Sequence, residues 1–176
     1  MKRFIALLLG ILTTITVFAQ YDDQPDTKVN WNGIKLADNI VIGVSFDVTD
    51  AKFAGLSYED RCEIDPELKT DFHEVVAKFV NSANDVMGKY VYEIYFSPKM
   101  EGKENYIVFK VKTVGQGGWI YADAKLITPS GVATFTNLYA KGGFFGTFMN
   151  LMGDGFEGLG KDVAKRIAKA KVRKKI

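Results

Sequence analysis

The sequence is nearly devoid of cysteine and histidine, which build disulfides and many metal and catalytic sites. Of its 176 residues one is cysteine, Cys62, and one is histidine, His73. A single cysteine excludes an internal disulfide, and we expect it to be buried or inert. A catalytic histidine needs a nucleophile or an acid brought near in space, and no pattern supplies one for His73. We therefore expect His73 to be a surface residue.

Sequence motifs of catalysis and cofactor binding are also missing. No G-x-S-x-G, H-E-x-x-H or paired-cysteine pattern occurs. The glycines of residues 142–147 precede a predicted helix, but the lysine of a phosphate-binding loop is absent. The acids of residues 59–67 lack the alternation and the internal glycine of a calcium loop. We expect no cofactor and no metal, while a carboxylate pair joined only in space stays open. The candidates for such a pair are Asp47, Asp123 and Asp154.

Long hydrophobic runs are lacking except at the beginning of the chain. Residues 1–19 have a charged start, an apolar run and a small-x-small ending at Ala19, which is the pattern of a signal peptide. The run is short for a membrane span. No cysteine follows Ala19 directly, so a lipoprotein is not expected. We expect an exported protein, either periplasmic or extracellular.

The remaining sequence has the length of one domain. Residues 20–28 are polar and contain Pro25, so we expect a flexible leader. Residues 29–176 are predicted to form a single domain that ends in a basic helix. The sequence contains neither an internal repeat nor a low-complexity segment.

Charge is balanced in total but not in distribution. Without Lys2 and Arg3 the chain has 21 basic and 21 acidic residues. Residues 161–176 contain eight basic residues and one acid, Asp162. Basic side chains stabilise the carbonyl end of a helix, and a basic amphipathic helix can also bind anionic lipid. The asymmetry indicates either a charged partner surface or packing of the tail on the body, and the predicted export argues against nucleic acid.

Hydrophobic periodicity predicts the order of the elements. Asp65-Pro66 is a good helix start, and apolar residues every three or four positions extend the helix to residue 87. Alternation or aromatic enrichment predicts strands over residues 40–49, 90–96, 106–114, 119–127 and 132–140, with a short edge strand within residues 29–37. We expect residues 90–140 to form a four-stranded antiparallel meander.

The last helix is predicted from an apolar stripe that runs from Phe148 to Ile167. Four glycines, at positions 153, 155, 158 and 160, lie within it, and each costs about 1 kcal/mol relative to alanine. Either the helix backbone approaches the sheet closely, or the helix begins late, near Asp154. The sequence favours a helix with a loosely wound start.

The predicted fold is α+β, with an antiparallel-rich sheet of about five strands and two helices, 66–87 and 147–171, on one face. This layout resembles that of small secreted bacterial envelope proteins of unknown function. The features that carry the likeness are the signal peptide, strand 40–49, helix 66–87, the meander with its Pro129-Ser130-Gly131 turn, and the GGFFG entry to the last helix. The layout also loosely resembles the periplasmic α+β domains of the curli secretion channel and of the amino end of the Tol-system propeller protein. No functional residue follows from the resemblance.

The sequence leaves three functions open. The first is a non-catalytic envelope module that binds a protein or another envelope component. The second is peripheral membrane association, and the third is a small-molecule carrier or enzyme with an unrecognised pocket. We expect the phenylalanines of the aromatic turn to plug the end of the core. If they are exposed instead, they form the candidate interaction surface together with the basic tail, and Tyr90, Tyr92 and Tyr95 raise the same question. The candidate residues are Phe144, Phe145, Phe148, Lys171, Arg173, Lys174 and Lys175.

Overall fold

The computed structural model describes residues 26–172, which form one mixed sheet and three helices. The predicted signal peptide, residues 20–25 of the predicted leader, and Arg173, Lys174 and Lys175 lie outside the described residues. The strands are β1 (Lys28–Asn30), β2 (Ile40–Asp47), β3 (Lys52–Phe53), β4 (Ile94–Ser97), β5 (Asn105–Val114), β6 (Ile120–Thr128) and β7 (Gly131–Ala140). The helices are α1 (Tyr58–Ile64), α2 (Glu67–Met87) and α3 (Phe148–Val172).

The strand order explains why the sheet differs from the predicted one. The order is β1-β7-β6-β5-β2-β4, with β3 paired to β5. Strand β2 lies between β4 and β5 and is parallel to both, because helices α1 and α2 carry the chain back before β4 begins. Only β5, β6 and β7 form an antiparallel meander, and β1 pairs antiparallel with β7. The prediction of a five-stranded, antiparallel-rich sheet with a four-stranded meander is therefore wrong in detail, while the α+β class is confirmed.

Helices α2 and α3 pack on each other and cover one face of the sheet. Alternating residues of the strands point at them, so the core consists of their apolar stripes and the inner positions of β2, β5, β6 and β7. Phe46 marks the centre, with ring centroids 5.3 Å from Phe79 of α2, 4.7 Å from Phe109 and 4.8 Å from Phe156 of α3. Both predicted helices thus lie on one face, and α1 is a third helix that was not predicted.

Two local features were not predicted, each for a physical reason. Helix α1 has no fully buried residue, so its sequence shows little periodicity, yet Ser57 Oγ caps it by accepting a hydrogen bond from the Asp60 N–H at 3.0 Å. The strand predicted over residues 90–96 is shorter because Glu93 has a φ of 51°, outside the strand region. Strand β4 therefore begins only at Ile94.

Helix α3 is α-helical from Phe148 onwards, so the predicted loosely wound start is wrong, and so is the alternative of a start near Asp154. Its glycines instead allow the α3 backbone to approach α2 and the β5–β6 turn closely. A Cβ at Gly160 would overlap the carbonyl oxygen of Phe79 and the hydroxyl of Ser82, both in α2, and a Cβ at Gly155 would overlap the carbonyl oxygen of Gly118. Among the helices described, none is long and apolar enough to cross a membrane.

Candidate binding surface

Among the residues that the structure describes, the most exposed large apolar side chains lie in the connection from β7 to α3. We call residues 141–147 the aromatic loop. Phe144 and Phe145 in this loop are each 92% exposed. Isolated exposed apolar residues are common on protein surfaces, but two adjacent phenylalanines that contact almost nothing form a patch.

The aromatic loop is braced although its tip is exposed. The Gly143 N–H donates to the Leu151 carbonyl at 3.3 Å, and the Leu151 N–H donates to the Thr147 carbonyl at 3.0 Å. Gly142 lies so close to the Gly117–Gly118 backbone that a Cβ would overlap it. The loop is thus folded back onto the first turn of α3 and onto the β5–β6 turn, and it presents the two rings from a defined base.

Phe148, the third candidate aromatic residue, is an anchor of the core. It is 8% exposed, and the Arg61 guanidinium of α1 lies 4.1 Å from its ring centroid. Arg61 also forms an ion pair with Asp65. This contact joins α1 to the start of α3, so α1 is a neighbour of the aromatic loop.

Helix α1 gives this end of the domain an acidic flank that sequence reasoning did not connect with the aromatic loop. Its outer side carries exposed acids and Ile64, which is 62% exposed. The acids are Glu59, Asp60 and Glu63. The Ser57-x-x-Asp60 spacing, a polar cap followed by an acid three residues later, is the signal that would have located the helix.

Lys171, the basic candidate residue that the structure describes, lies at the opposite end of α3. Lys171 Nζ donates to the Ala37 carbonyl at 3.0 Å, forms an ion pair with Asp38, and lies 5.0 Å from the Tyr92 ring centroid. Its side chain is only 12% exposed. Because α3 has 25 residues and a helix rises about 1.5 Å per residue, roughly 37 Å separates its two ends. The structure therefore does not bring Lys171 together with Phe144 and Phe145.

The three candidate carboxylates have separate partners. Asp123 pairs with Lys112 at 2.7 Å and accepts the Asn137 N–H at 2.9 Å, while Asp154 lies 3.7 Å from Lys78. Asp47 is exposed, and hydrogen bonds from Thr49 hold the pKa of its carboxyl below the ordinary value. A general acid at neutral pH requires a raised pKa, and Asp47 has the opposite shift.

The single histidine and the single cysteine are not part of a cluster. His73 is exposed, and its Nδ1 lies 2.9 Å from the Thr70 carbonyl oxygen of its own helix. Cys62 is half-buried beside Tyr58, and burial, followed by the charge of Cys62, raises the pKa of Tyr58 to about 12. Within residues 26–172 no three His, Cys, Asp or Glu side chains are grouped to hold a metal ion.

Two open hollows are the concave features of note. One, of about 360 Å³, lies between the chain after β1 and the end of α3 and is lined by Trp31, Leu36 and Lys171, among others. The other, of about 330 Å³, lies on the uncovered face of the sheet, where Val108, Lys110 and Thr134 are among the lining residues. Both are partly open to solvent.

The three candidate tyrosines lie in and just after the connection from α2 to β4. Tyr92 is buried and stacks on Tyr90 with ring centroids 6.0 Å apart, whereas Tyr95 is 53% exposed. Val91, between the stacked pair, is 86% exposed. Because Lys171 lies over Tyr92, this second apolar patch is at the basic end of α3.

Comparison with solved structures gives a weak likeness. No family model and no curated protein matches the chain. A solved structure, a PelC dodecamer from Paraburkholderia phytofirmans that carries a single substitution, is similar over 79% of this chain and 95% of that chain, with 13% identity and a TM-score of 0.38. A likeness at that score carries no argument about fold or function.

Proposed function

We propose that this chain is a non-catalytic, exported envelope module that binds a protein or another envelope component through its aromatic loop. One observation carries the proposal: Phe144 and Phe145 are each 92% exposed on a loop that is braced at its base. Aromatic side chains are the commonest anchors of protein interfaces. A braced loop also loses little conformational freedom when a partner docks on it.

The compartment in this proposal rests on the signal peptide pattern of residues 1–19. The resemblance to small secreted envelope proteins, and the looser one to the curli-channel and Tol-protein domains, remain predictions of the same kind. The flexible leader and the single domain belong to the same proposal.

The two alternatives have less support from the geometry. A membrane contact made jointly by the phenylalanines and the basic tail needs both on one surface, whereas Lys171 lies at the end of α3 opposite to Phe144 and Phe145. A small-molecule site buries most of its ligand in a cleft or cavity with a few convergent polar groups, whereas the two hollows are shallow enough to stay partly open to solvent. Binding through the aromatic loop therefore stays the leading function.

The test is a crosslinked pull-down of the tagged protein from its own cell envelope, with the double variant F144S/F145S. We expect one stoichiometric partner for the natural protein and its loss from the double variant. Unfolding stability should change by less than about 0.5 kcal/mol, because the replaced side chains contact almost nothing.

The matched control is V91S, which removes an exposed apolar side chain at the other end of α3. A partner that the double variant still captures would refute docking through the aromatic loop. An enzymatic activity of the purified protein that disappears when one carboxylate is replaced would refute the non-catalytic proposal.

A further inference from the structure

We infer that the aromatic loop inserts its two phenylalanine rings into the surface layer of a lipid bilayer. This inference rests on the proposed function, since it names the envelope component that the same loop binds. The contact is made by the loop alone and needs no basic tail. The apolar area of the loop, its charge and its backbone support this partner in turn.

The apolar surface of the loop is small and protrudes into solvent. Phe144 and Phe145 are each 92% exposed, and the residues on either side of the pair are Gly143 and Gly146. Two phenylalanine side chains bury about 300–500 Å² when they are covered, whereas a specific protein interface takes about 800 Å² from each partner. Glycines have no side chain that would enlarge the contact. A bilayer requires no larger surface, because lipid surrounds each ring that enters it.

The tip of the loop enters an apolar layer without taking a charge with it. Residues 142–148 contain no charged side chain, and Lys141 precedes them. The Asp154 carboxylate lies at the base of the loop, where a Cβ at Gly143 would overlap it. Lys78 Nζ lies 3.7 Å from that carboxylate. Because charged side chains are costly inside a bilayer, we expect insertion to stop at this base, with Asp154 and Lys78 among the headgroups.

The backbone of the loop also limits the depth of insertion. The Gly143 N–H donates to the Leu151 carbonyl, but Phe144 and Phe145 belong to no helix or strand. Backbone groups outside regular structure need water or another polar partner. The rings therefore belong in the hydrated boundary between headgroups and acyl chains, about 5–10 Å deep.

Co-sedimentation of the exported, purified chain with phosphatidylcholine vesicles tests the inference. We expect half-saturation at lipid concentrations on the order of 1 mM, since two rings anchor a chain more weakly than one acyl chain does. F144S and F145S should each weaken binding about tenfold, and F144S/F145S about a hundredfold, because each ring is buried separately. F144L/F145L should lose less than about tenfold, since lipid accepts any large apolar side chain. V91S, at the other end of α3, is the control and should bind like the natural chain.

Two further measurements separate insertion from adsorption by charge. Adding phosphatidylglycerol to the vesicles, or raising the salt concentration, should change the affinity by less than about threefold, because the tip carries no charge. In F144W, lipids brominated near the headgroup end of the acyl chains should quench the fluorescence of the introduced indole. The natural chain, which contains Trp31 and Trp119, supplies the background.

Four results would overturn the inference. A natural chain that binds vesicles no better than F144S/F145S does not use its loop on lipid. An equal loss in V91S places the contact elsewhere. Binding that requires phosphatidylglycerol and disappears in salt indicates a charged surface. A loss in F144L/F145L as large as in F144S/F145S indicates recognition of the ring and not burial in lipid.

The proposed function is judged separately by the pull-down. If vesicles are not bound but F144S/F145S still loses a protein partner, docking through the aromatic loop stands and only the bilayer is refuted. If that variant keeps both the vesicles and the partner, both fail. If both assays succeed, the chain meets the protein at the bilayer, and dissolving the bilayer with detergent before crosslinking should make capture by the natural chain and the variant equal. Capture that still depends on the two phenylalanines in detergent would identify a protein, and not lipid, as the partner of the loop.

Discussion

Two glycines of helix α3, two residues apart, respond to the same substitution in opposite directions. A Cβ at Gly158 would lie 3.5 Å from the Ala140 Cβ, which is ordinary van der Waals contact. A Cβ at Gly160 would overlap the Phe79 carbonyl and Ser82 Oγ. That hydroxyl donates to the Glu157 carbonyl at 2.8 Å and to Phe79 at 3.0 Å, so it holds α2 against α3. Gly158→Ala and Gly160→Ala therefore differ only in whether the added methyl group has room.

The magnitudes follow from that difference. Replacing glycine by alanine inside a helix stabilises it by about 1 kcal/mol. At Gly158 nothing opposes this gain. At Gly160, overpacking costs about 1–3 kcal/mol, and loss of the Ser82 hydrogen bond costs about 1 kcal/mol more. We expect Gly158→Ala to stabilise the protein by about 0.5–1 kcal/mol and Gly160→Ala to destabilise it by about 1–3 kcal/mol.

Equilibrium unfolding in urea measures both variants. The midpoints should move apart while the slope of the unfolding free energy against urea stays constant, since neither change alters how much surface unfolding exposes. The two variants have identical composition, so effects on the unfolded chain nearly cancel. Equal stabilisation by both substitutions would show that α3 does not approach α2 as closely as described.

Two further predictions concern single contacts. The Asn84 side chain accepts the Phe96 N–H at 2.7 Å and donates to the Phe96 carbonyl at 3.1 Å, on the edge of β4 that faces away from β2. Asn84→Ala should cost about 2–3 kcal/mol in urea unfolding, because both backbone groups lose their partner, while Asn81→Ala on the exposed side of α2 should change stability by less than about 0.5 kcal/mol. Equal effects of Asn84→Ala and Asn81→Ala on stability would mean that water replaces the Asn84 side-chain amide as the partner of the Phe96 backbone. Lys171→Met keeps the stem but removes the hydrogen bond to the Ala37 carbonyl, so we expect a loss of about 1 kcal/mol and a stability that depends less on salt. The exposed Lys169→Met should change neither the stability nor its dependence on salt. Identical results for the two lysines would refute the role of the buried Lys171 contact.

The sequence predicted the elements better than their arrangement. Periodicity located α2, α3 and the strands β2, β5, β6 and β7, because each has one buried face and therefore one apolar stripe. It did not predict the position of β2 between β4 and β5, since the pattern of a strand specifies which face is buried but not which strand lies beside it. The short helix α1 was missed because it buries no residue fully.

The sequence predicted only part of the candidate site, because a local pattern does not show which residues lie side by side in the fold. The sequence singled out the aromatic turn from composition alone, but it could not tell the exposed Phe144 and Phe145 from the buried Phe148. That difference depends on Arg61, 87 positions earlier in the chain, reaching the ring of Phe148. The basic residues were grouped with the phenylalanines because both flank one helix, and only the length of α3 separates them.

Helix α3 follows every strand in the chain, yet it forms half of the layer that covers the sheet. Strands β5, β6 and β7 can pair through short turns, but their inner face remains uncovered until Phe156 and the residues that share its side of the helix arrive. A chain that is still being synthesised therefore presents an uncovered apolar sheet face, and such surfaces aggregate or bind holding factors. We expect α3 to dock last during synthesis, since its residues are made after the strands that it covers.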